Sequence, residues 1–594
     1  MPVHFAELPG AFSAALMFRT GRSDEPLGCC GISHLVEHLA LYALRHPAHP
    51  YNGFVDLTRT VFFASGTRDE VAAFLRDVAA ALADLPLDRL LDERRVLKTE
   101  LAAGDPGFYG RLFAHRFGAA GPGLLNYQDL GLSWLDAEAV SAWAAERYTR
   151  ANAVMWMSGP PPDALELPLP DGERIPAPVP EPLPGFTEPR YLAEGAGGVG
   201  ISMVGRRSTA ITCALRLAAE RAVNRLRVEQ GVSYSIGSDY LPLDADHGHL
   251  ILSADCLDEH AARVAGGLLG VLEELGGGGA TEDELAVDLR RIRDAMAEPD
   301  WMRSELDRAA SDELHGWPSM TSEELVAESE ALTPAAVGAE LAEALATRLV
   351  VAPEGVPPPP GHGSIDDTGE PPVEGREFVP RRGLSGRRQA VRLIAGDEGI
   401  TLIQPDEDPI TVRFGSIAAA VRERPGQITL IARDASFIEF EFARLRDGDE
   451  LERLVLDRLP PPGVVPGPMF EAARAVDAIA ERDLERRWGV ADELAQLGAA
   501  LRDGESLEHL ALASQGHRAG LLAVTDRRVI WLYDGVRSDI VWEAAREAIA
   551  NVAPSSGIPG LRSARLKLET PDSELKVSVD SRGKFDEIVA ALSP

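Results

Sequence analysis

Three side chains in one short run have the types and spacing that metal chemistry needs. They are His34, Glu37 and His38, in Gly31-Ile32-Ser33-His34-Leu35-Val36-Glu37-His38. On a helix, residues four apart lie one turn above each other and share a face. His34 and His38 so placed offer two imidazoles to one metal ion. Glu37 falls on the same side as His34 and can reach a water at the metal without being a ligand itself. Taken alone, the pattern leaves open a chance pair on a solvated helix, and a third ligand is what changes that weighing.

The chain around this run has 594 residues, enough for several domains, and 45% of them are hydrophobic, so a sizeable core is expected. A net charge of −34 argues against nucleic acid as a partner, because phosphate contacts need Lys and Arg, and against broad adsorption to anionic membranes. The four cysteines, Cys29, Cys30, Cys213 and Cys256, are too few for a disulfide framework and read as reduced thiols. Cys29 and Cys30, just before the histidine run, read as packing residues. Met1 to Arg19 has no secretory-signal pattern, and no apolar stretch approaches the ~20 residues that span a bilayer. A soluble, cytoplasmic protein is expected.

Proline-rich stretches at 161–192 and 353–386 read as extended connectors. They delimit blocks 1–160 and 193–352, which look like two copies of one α+β plan. Each ends in a capped helix and an apolar strand: Asp136 caps the first and Thr333, followed by Pro334, the second. Residues 387–462 and 503–594 read as two small β-rich blocks, each closed by one helix, joined by a charged helical connector at 463–502. In the last block the expected strands are 520–524, 528–533, 564–569 and 574–579, with a hairpin turn at Asp534-Gly535.

The histidine run resembles that of the pitrilysin (inverzincin) family of zinc metallopeptidases, which carries the inverted His-x-x-Glu-His order. Leu91 to Leu101 resembles the helix that supplies the third ligand there. By that match Glu100 is the ligand. Glu93, two helical turns earlier, is the supporting acid behind it. The resemblance covers roughly residues 10–352. It includes Asn52-Gly53-Phe54-Val55-Asp56, similar to the family's Asn-containing loop, and Tyr148 to Asn152 at the first domain's end. It also includes Leu226-Arg227-Val228-Glu229-Gln230-Gly231-Val232-Ser233-Tyr234, similar to the segment whose Arg and Tyr bind substrate. The resemblance implies two tandem α/β-sandwich peptidase domains. Zn2+ would be held by His34, His38 and Glu100, with Glu37 as general base. Arg227, Tyr234 and Asn52 would bind a peptide substrate. A clamshell homodimer is the simplest assembly, with a heterodimer as the alternative. The chain departs from the family in two ways. The spacing from His38 to Glu100 is short, with Arg45 to Pro50 replacing a longer helix, and only one pair of repeated domains is present. His46 and His49 lie in that proline-flanked segment and read as loop residues.

The last block resembles bacterial pleckstrin-homology-like domains through Thr525-Asp526-Arg527-Arg528-Val529-Ile530; block 387–462 does so more weakly. Arg527, Arg528, Lys567 and Lys576 read as surface charge rather than a headgroup site, and Trp531 and Tyr533 as strand residues. Two readings of function compete. One is a zinc endopeptidase acting on peptides or unfolded segments. The other is a non-catalytic dimerising adaptor or a subunit of a heteromeric processing peptidase, whose C-terminal blocks bind a protein or lipid partner.

Overall fold

The computed structural model describes the chain apart from residues 43, 45–49, 103–106, 128, 164, 184–185, 187, 195–196, 299, 365–369, 381–391, 405–407, 423–425, 460–462, 467–469, 485–493, 495–496, 499, 502–504, 516–517, 534–538, 556–563, 572 and 593–594. His46, His49 and the Asp534-Gly535 turn lie outside the described residues. The chain forms two compact units. The first is Met1–Ala420 with Leu430–Ile438 and Arg453–Gly463; the second is Val421–Thr429, Glu439–Glu452 and Val464–Pro594.

Within the first unit, one topology occurs twice. The first copy runs β1 (Val3–Phe5), β2 (Phe12–Phe18), α1 (Ile32–Tyr42), β3 (Tyr51–Val55), β4 (Thr60–Gly66), α2 (Arg68–Ala83), α3 (Leu90–Ala102), α4 (Gly107–Phe117), α5 (Ala137–Arg147) and β5 (Ala153–Met157). Its sheet has the order β1-β5-β2-β4-β3. The second copy runs β6 (Arg190–Ala193), β7 (Gly198–Arg206), α6 (Thr209–Ala222), β8 (Ile236–Pro242), β9 (His247–Asp255), α7 (Ala261–Gly278), helices Glu282–Met296, Trp301–His315, Ser322–Ala331 and Pro334–Leu345, then β10 (Leu349–Ala352). Its sheet repeats the order as β6-β10-β7-β9-β8 and adds a short strand, β11 (Gly363–Ser364), beside β6. In both copies the first strand pairs parallel with the last strand; β11 also pairs parallel with β6, and the other pairs are antiparallel.

Each sheet is covered on both faces, which is why β2, apart from Ser13, and β5 are apolar throughout and buried at every residue. Strand alternation sends Ala14, Leu16 and Phe18 to the core under α1 and α2. Ala15 and Met17 face the other way, onto Leu306, Ala310 and Leu314 of the second copy's helix Trp301–His315. The second sheet is covered reciprocally: Leu349, Val351 and Ile251 pack on Leu112, Phe113 and Phe117 of α4 from the first copy. Each copy thus lends one helix to the other's sheet. Caps start the helices where expected: Asp136 accepts from the Ala139 amide and Thr333 from the Ala336 amide.

Among its described residues the first proline-rich connector forms no helix or strand before β6, as expected of an extended linker, and the second is paired only in short strands. The first leads into β6, and Leu167 and Leu169 are buried in the first copy's core. The second carries β11 and the strand Arg376–Phe378, which pairs with Arg392–Ala395. Proline removes one donor at a time, so the residues between prolines can still pair at a sheet edge.

The second unit contains a seven-stranded antiparallel sheet in the order Asp539–Ala545, Arg528–Tyr533, Arg518–Thr525, Leu507–Gln515, Glu574–Val579, Ala564–Glu569, Asn551–Ser555. The helix Arg582–Leu592 buries Phe585 and Ile588 against it. Trp531 is a core residue. Arg528 is buried against Glu505, and Lys567 and Lys576 pair with Glu569 and Glu574, so these cations are spent on neighbouring carboxylates. Among the described residues, no helix is long and apolar enough to cross a membrane.

Candidate metal centre

The helix that carries the histidines is started by a carboxylate outside it. Buried Glu25 accepts from the amides of Gly31, at 2.7 Å, and Ser33, at 2.9 Å. Anions are favoured at a helix N-terminus, whose first amides lack intrahelical partners. Burial outweighs those hydrogen bonds and pushes the Glu25 carboxyl up to about 7. Leu35, Val36 and Leu39 anchor the apolar stripe of α1 in the core, which turns His34, Glu37 and His38 the other way.

The two imidazoles are oriented alike. His38 Nε2 lies 3.5 Å from Glu100 Oε2 and 3.9 Å from Glu37 Oε2, and His34 Nε2 lies 4.0 Å from the same Glu37 oxygen. The Nδ1 atoms face outward onto carboxylates: Asp129 Oδ2 is 3.2 Å from His34 Nδ1, and Glu93 Oε2 is 3.4 Å from His38 Nδ1. Glu93 and Glu100 both come from α3. Arg94 between them donates to the Leu132 carbonyl at 2.6 Å and ties α3 to the segment that carries Asp129. One donor atom each from His34, His38 and Glu100 lies within 4.8 Å of the others. Ligands around one tetrahedral zinc at ~2.1 Å stand roughly 3.4 Å apart. Two imidazole nitrogens and a carboxylate are a fitting donor set, needing only a small inward shift.

Glu37 meets the site from its buried side, its side chain 5% exposed, and Glu100 from the open side, 58% exposed. Burial pushes the Glu37 carboxyl up to about 7, against the pull of His34. Burial draws the His34 imidazole down, but the hydrogen bond and charge of Asp129 outweigh it and the net shift is upward. His38 is shifted down by burial and by His34 beside it. The Glu37 carboxylate rests on Gly53 of the edge strand β3, where a Cβ would stand 2.5 Å from Oε1. Asn52 is exposed and, by strand alternation, faces away from that contact; among the described residues no hydrogen bond joins it to the histidine set.

Arg227 and Tyr234 are brought together elsewhere in the first unit. Arg227 lies in a π-helical turn, Val223–Glu229, that continues α6, and its guanidinium sits 4.9 Å from the Tyr234 ring. Such turns mark functional sites often. Tyr234 is 76% exposed. Its turn is held by Asp255, whose Oδ1 accepts from Ser233 Oγ and from the Tyr234 and Ser235 amides, each at 2.8 Å. The recess they line includes none of the His34 set. Cys29 and Cys30 are free thiols pushed up by burial, Cys29 to about 11, which suits packing rather than ligation.

Sequence reasoning missed Glu25, Asp129 and Asp255. Glu25 and Asp255 act through backbone amides that no side-chain pattern announces. Asp129 stands 95 residues from His34, with no motif around it.

No protein-family model and no curated protein matches the chain. Solved structures do match, at the level of fold. A peptidase M16 inactive domain from Pseudomonas fluorescens is 15% identical, with a TM-score of 0.51, over 60% of this chain and 97% of that one. A protease from Helicobacter pylori is 15% identical, with a TM-score of 0.51, over 59% and 96%. A chain of complex III2 from Candida albicans is 15% identical, with a TM-score of 0.50, over 59% and 93%. The chain therefore has a mixed α/β fold shared with M16 peptidase structures.

Proposed function

We propose that this chain is a zinc-dependent endopeptidase acting on peptides or unfolded polypeptide segments. The observation that carries the reading is the convergence of both Nε2 atoms with Glu100 at one point, with the Glu37 carboxylate beside it and a carboxylate behind each imidazole. His34, His38 and Glu100 hold the metal. Zinc, if bound there, would supply Lewis acidity toward a peptide carbonyl and toward the attacking water. Glu37 takes the proton from the attacking water and hands it to the leaving amine, a role suited to a carboxyl whose pKa is raised by burial. Glu93 fixes the His38 ring through Nδ1. Arg227 and Tyr234 bind substrate. Their recess shares no residue with the metal centre, which is compatible with their serving the metal centre of a partner half, in a homodimer as the simplest assembly or in a heterodimer as the alternative. The seven-stranded sheet with its closing helix supports a pleckstrin-homology-like reading of the last block.

Cleavage of a mixed peptide library by wild type, by Glu37→Gln and by chelator-treated protein tests the reading. Glu37→Gln should keep its zinc and lose turnover by roughly 10²–10⁴-fold, and chelation should abolish cleavage. Cleavage by Glu37→Gln at the wild-type rate overturns the base assignment. The adaptor reading draws on the fold neighbour described as an inactive domain. It is favoured if wild type holds zinc and cleaves nothing.

A further inference from the structure

We infer that Asp129 is a positioning residue of the metal centre: its carboxylate fixes His34 as the tautomer whose Nε2 lone pair faces the metal. This rests on the metal-site reading and deepens it.

Four observations converge on the aspartate. Its Oδ2 lies 3.2 Å from His34 Nδ1. At that distance a buried carboxylate accepts the Nδ1 hydrogen, leaving Nε2 unprotonated and aimed where His38 Nε2 and Glu100 meet. Its Oδ1 takes Arg22, so one carboxylate is held on both oxygens and cannot rotate away from the ring. Its backbone has φ 23°, in the left-handed region that aspartate visits seldom. And Gly31, the residue before α1, has φ 95°, and a Cβ there would stand 2.5 Å from the Asp129 Cβ, so any side chain would push the aspartate off the histidine.

A buried ion pair with Arg22 alone would need none of this. It would not require a residue with φ 23° whose second carboxylate oxygen is aimed at Nδ1. Asp129 and Glu93 also occupy matching places behind the two imidazole rings. Asp129 differs in coming from a separate segment and in being fully enclosed, so the orientation of His34 depends on the loop that carries it as well as on its own helix.

The test measures Zn2+ affinity of the full chain by competition with a chromophoric chelator, together with the Co2+ d–d spectrum and the melting temperature of the metal-free protein. Asp129→Asn keeps the size but lets the amide offer hydrogens to Nδ1, which favours the wrong tautomer. It should weaken Zn2+ binding about 10–100-fold and alter the Co2+ spectrum. Arg22→Gln breaks the same ion pair without removing the Nδ1 acceptor, and should lower the melting temperature while keeping affinity within about threefold. Wild-type affinity in Asp129→Asn, or an equal loss in Arg22→Gln, overturns the inference and leaves the metal site standing. If Asp129→Asn does not fold, Asp129→Glu carries the test: reduced affinity at a near-native melting temperature supports the inference, and undiminished affinity overturns it. Failure of the wild type to bind Zn2+ more tightly than His38→Ala overturns the metal-site reading, and the inference with it.

Discussion

Gly53 offers a way to move the proposed base without touching it. A Cβ at this position would lie 2.5 Å from Glu37 Oε1, 3.0 Å from its Cγ and 3.1 Å from its Cδ, where ordinary contact begins at 3.4 Å. In Gly53→Ala the carboxylate must therefore retreat by about 1 Å. The obstructed group is the far end of a side chain rather than backbone, so the strand should stay in place. Replacing glycine within a strand is neutral or stabilising by up to ~1 kcal/mol. A misplacement of ~1 Å at a reacting group can cost roughly 10²-fold, about 2.7 kcal/mol on the barrier. The expected result is a kcat/KM lowered about 100-fold on a quenched fluorescent peptide, with zinc content and melting temperature at wild-type values. The double variant with Glu37→Gln should be no worse than Glu37→Gln alone, because both act through one carboxylate. Full activity in Gly53→Ala would refute the placement of Glu37 as base. Loss of activity together with loss of zinc or of thermal stability would refute the claim that only the base moves.

Two further outcomes follow from particular contacts. Asp483 accepts from Arg482 Nε, Lys584 Nζ and the Leu510 amide. Burial works against its ionised form, but these bonds prevail and hold the carboxyl at about 2, below its ordinary 3.8. The stability it contributes is present above pH ~4 and lost as pH falls through 2. Thermal unfolding followed from pH 5 to 2 should show a shallower decline in Asp483→Asn than in wild type; identical slopes would sink the assignment. Asp255→Ala removes the acceptor for three donors in the Tyr234 turn. It should raise KM about tenfold with kcat and Zn2+ affinity unchanged, and an unaltered KM would remove Tyr234 from substrate binding.

The parts of the site that were legible in the sequence are those encoded by helical spacing. His34, Glu37 and His38 share one turn and Glu93 and Glu100 one face of α3, so spacing groups each set, while the family resemblance is what joins the two. The carboxylate behind His34 is set by the segment around Asp129 folding back onto α1, which no period of 3.6 or 2 can express. The tandem repeat was legible from its capped ends, and the two sheets repeat one strand order. In the C-terminal sheet, three of seven strands escaped notice. Leu507–Gln515 is rich in Ala and polar residues of low strand preference. Asp539–Ala545 carries acidic residues and alanines, and Asn551–Ser555 contains a proline that only an edge strand tolerates. Both lie at the edges of the sheet, where pairing with one neighbour suffices.

The two copies share a sheet order but not a chemistry. The helix that follows the second strand carries His34, Glu37 and His38 in the first copy; in the second it is α6, which presents Cys213, Ala214, Leu217 and Ala218 to a closed core. What the second copy gains is the π-helical continuation of α6. Its wider turn shifts the side-chain register at Arg227 and brings it over Tyr234. The proposed metal ligands and the proposed substrate contacts thus sit on different copies of the repeat. The interface between the copies is built for rigidity. Each copy covers a face of the other's sheet with one of its own helices. At its centre Arg116 of α4 is fully buried and donates to Ser202 Oγ, the Ser202 carbonyl and the Thr347 carbonyl. Burial draws its guanidinium down to about 9, and among the described residues no carboxylate offsets the charge. Such a group is costly. A guanidinium is nonetheless the one side chain that can fill three acceptors at fixed angles from one stem. The energetic cost of a buried cation with no carboxylate partner among the described residues thus goes into the register between the two copies.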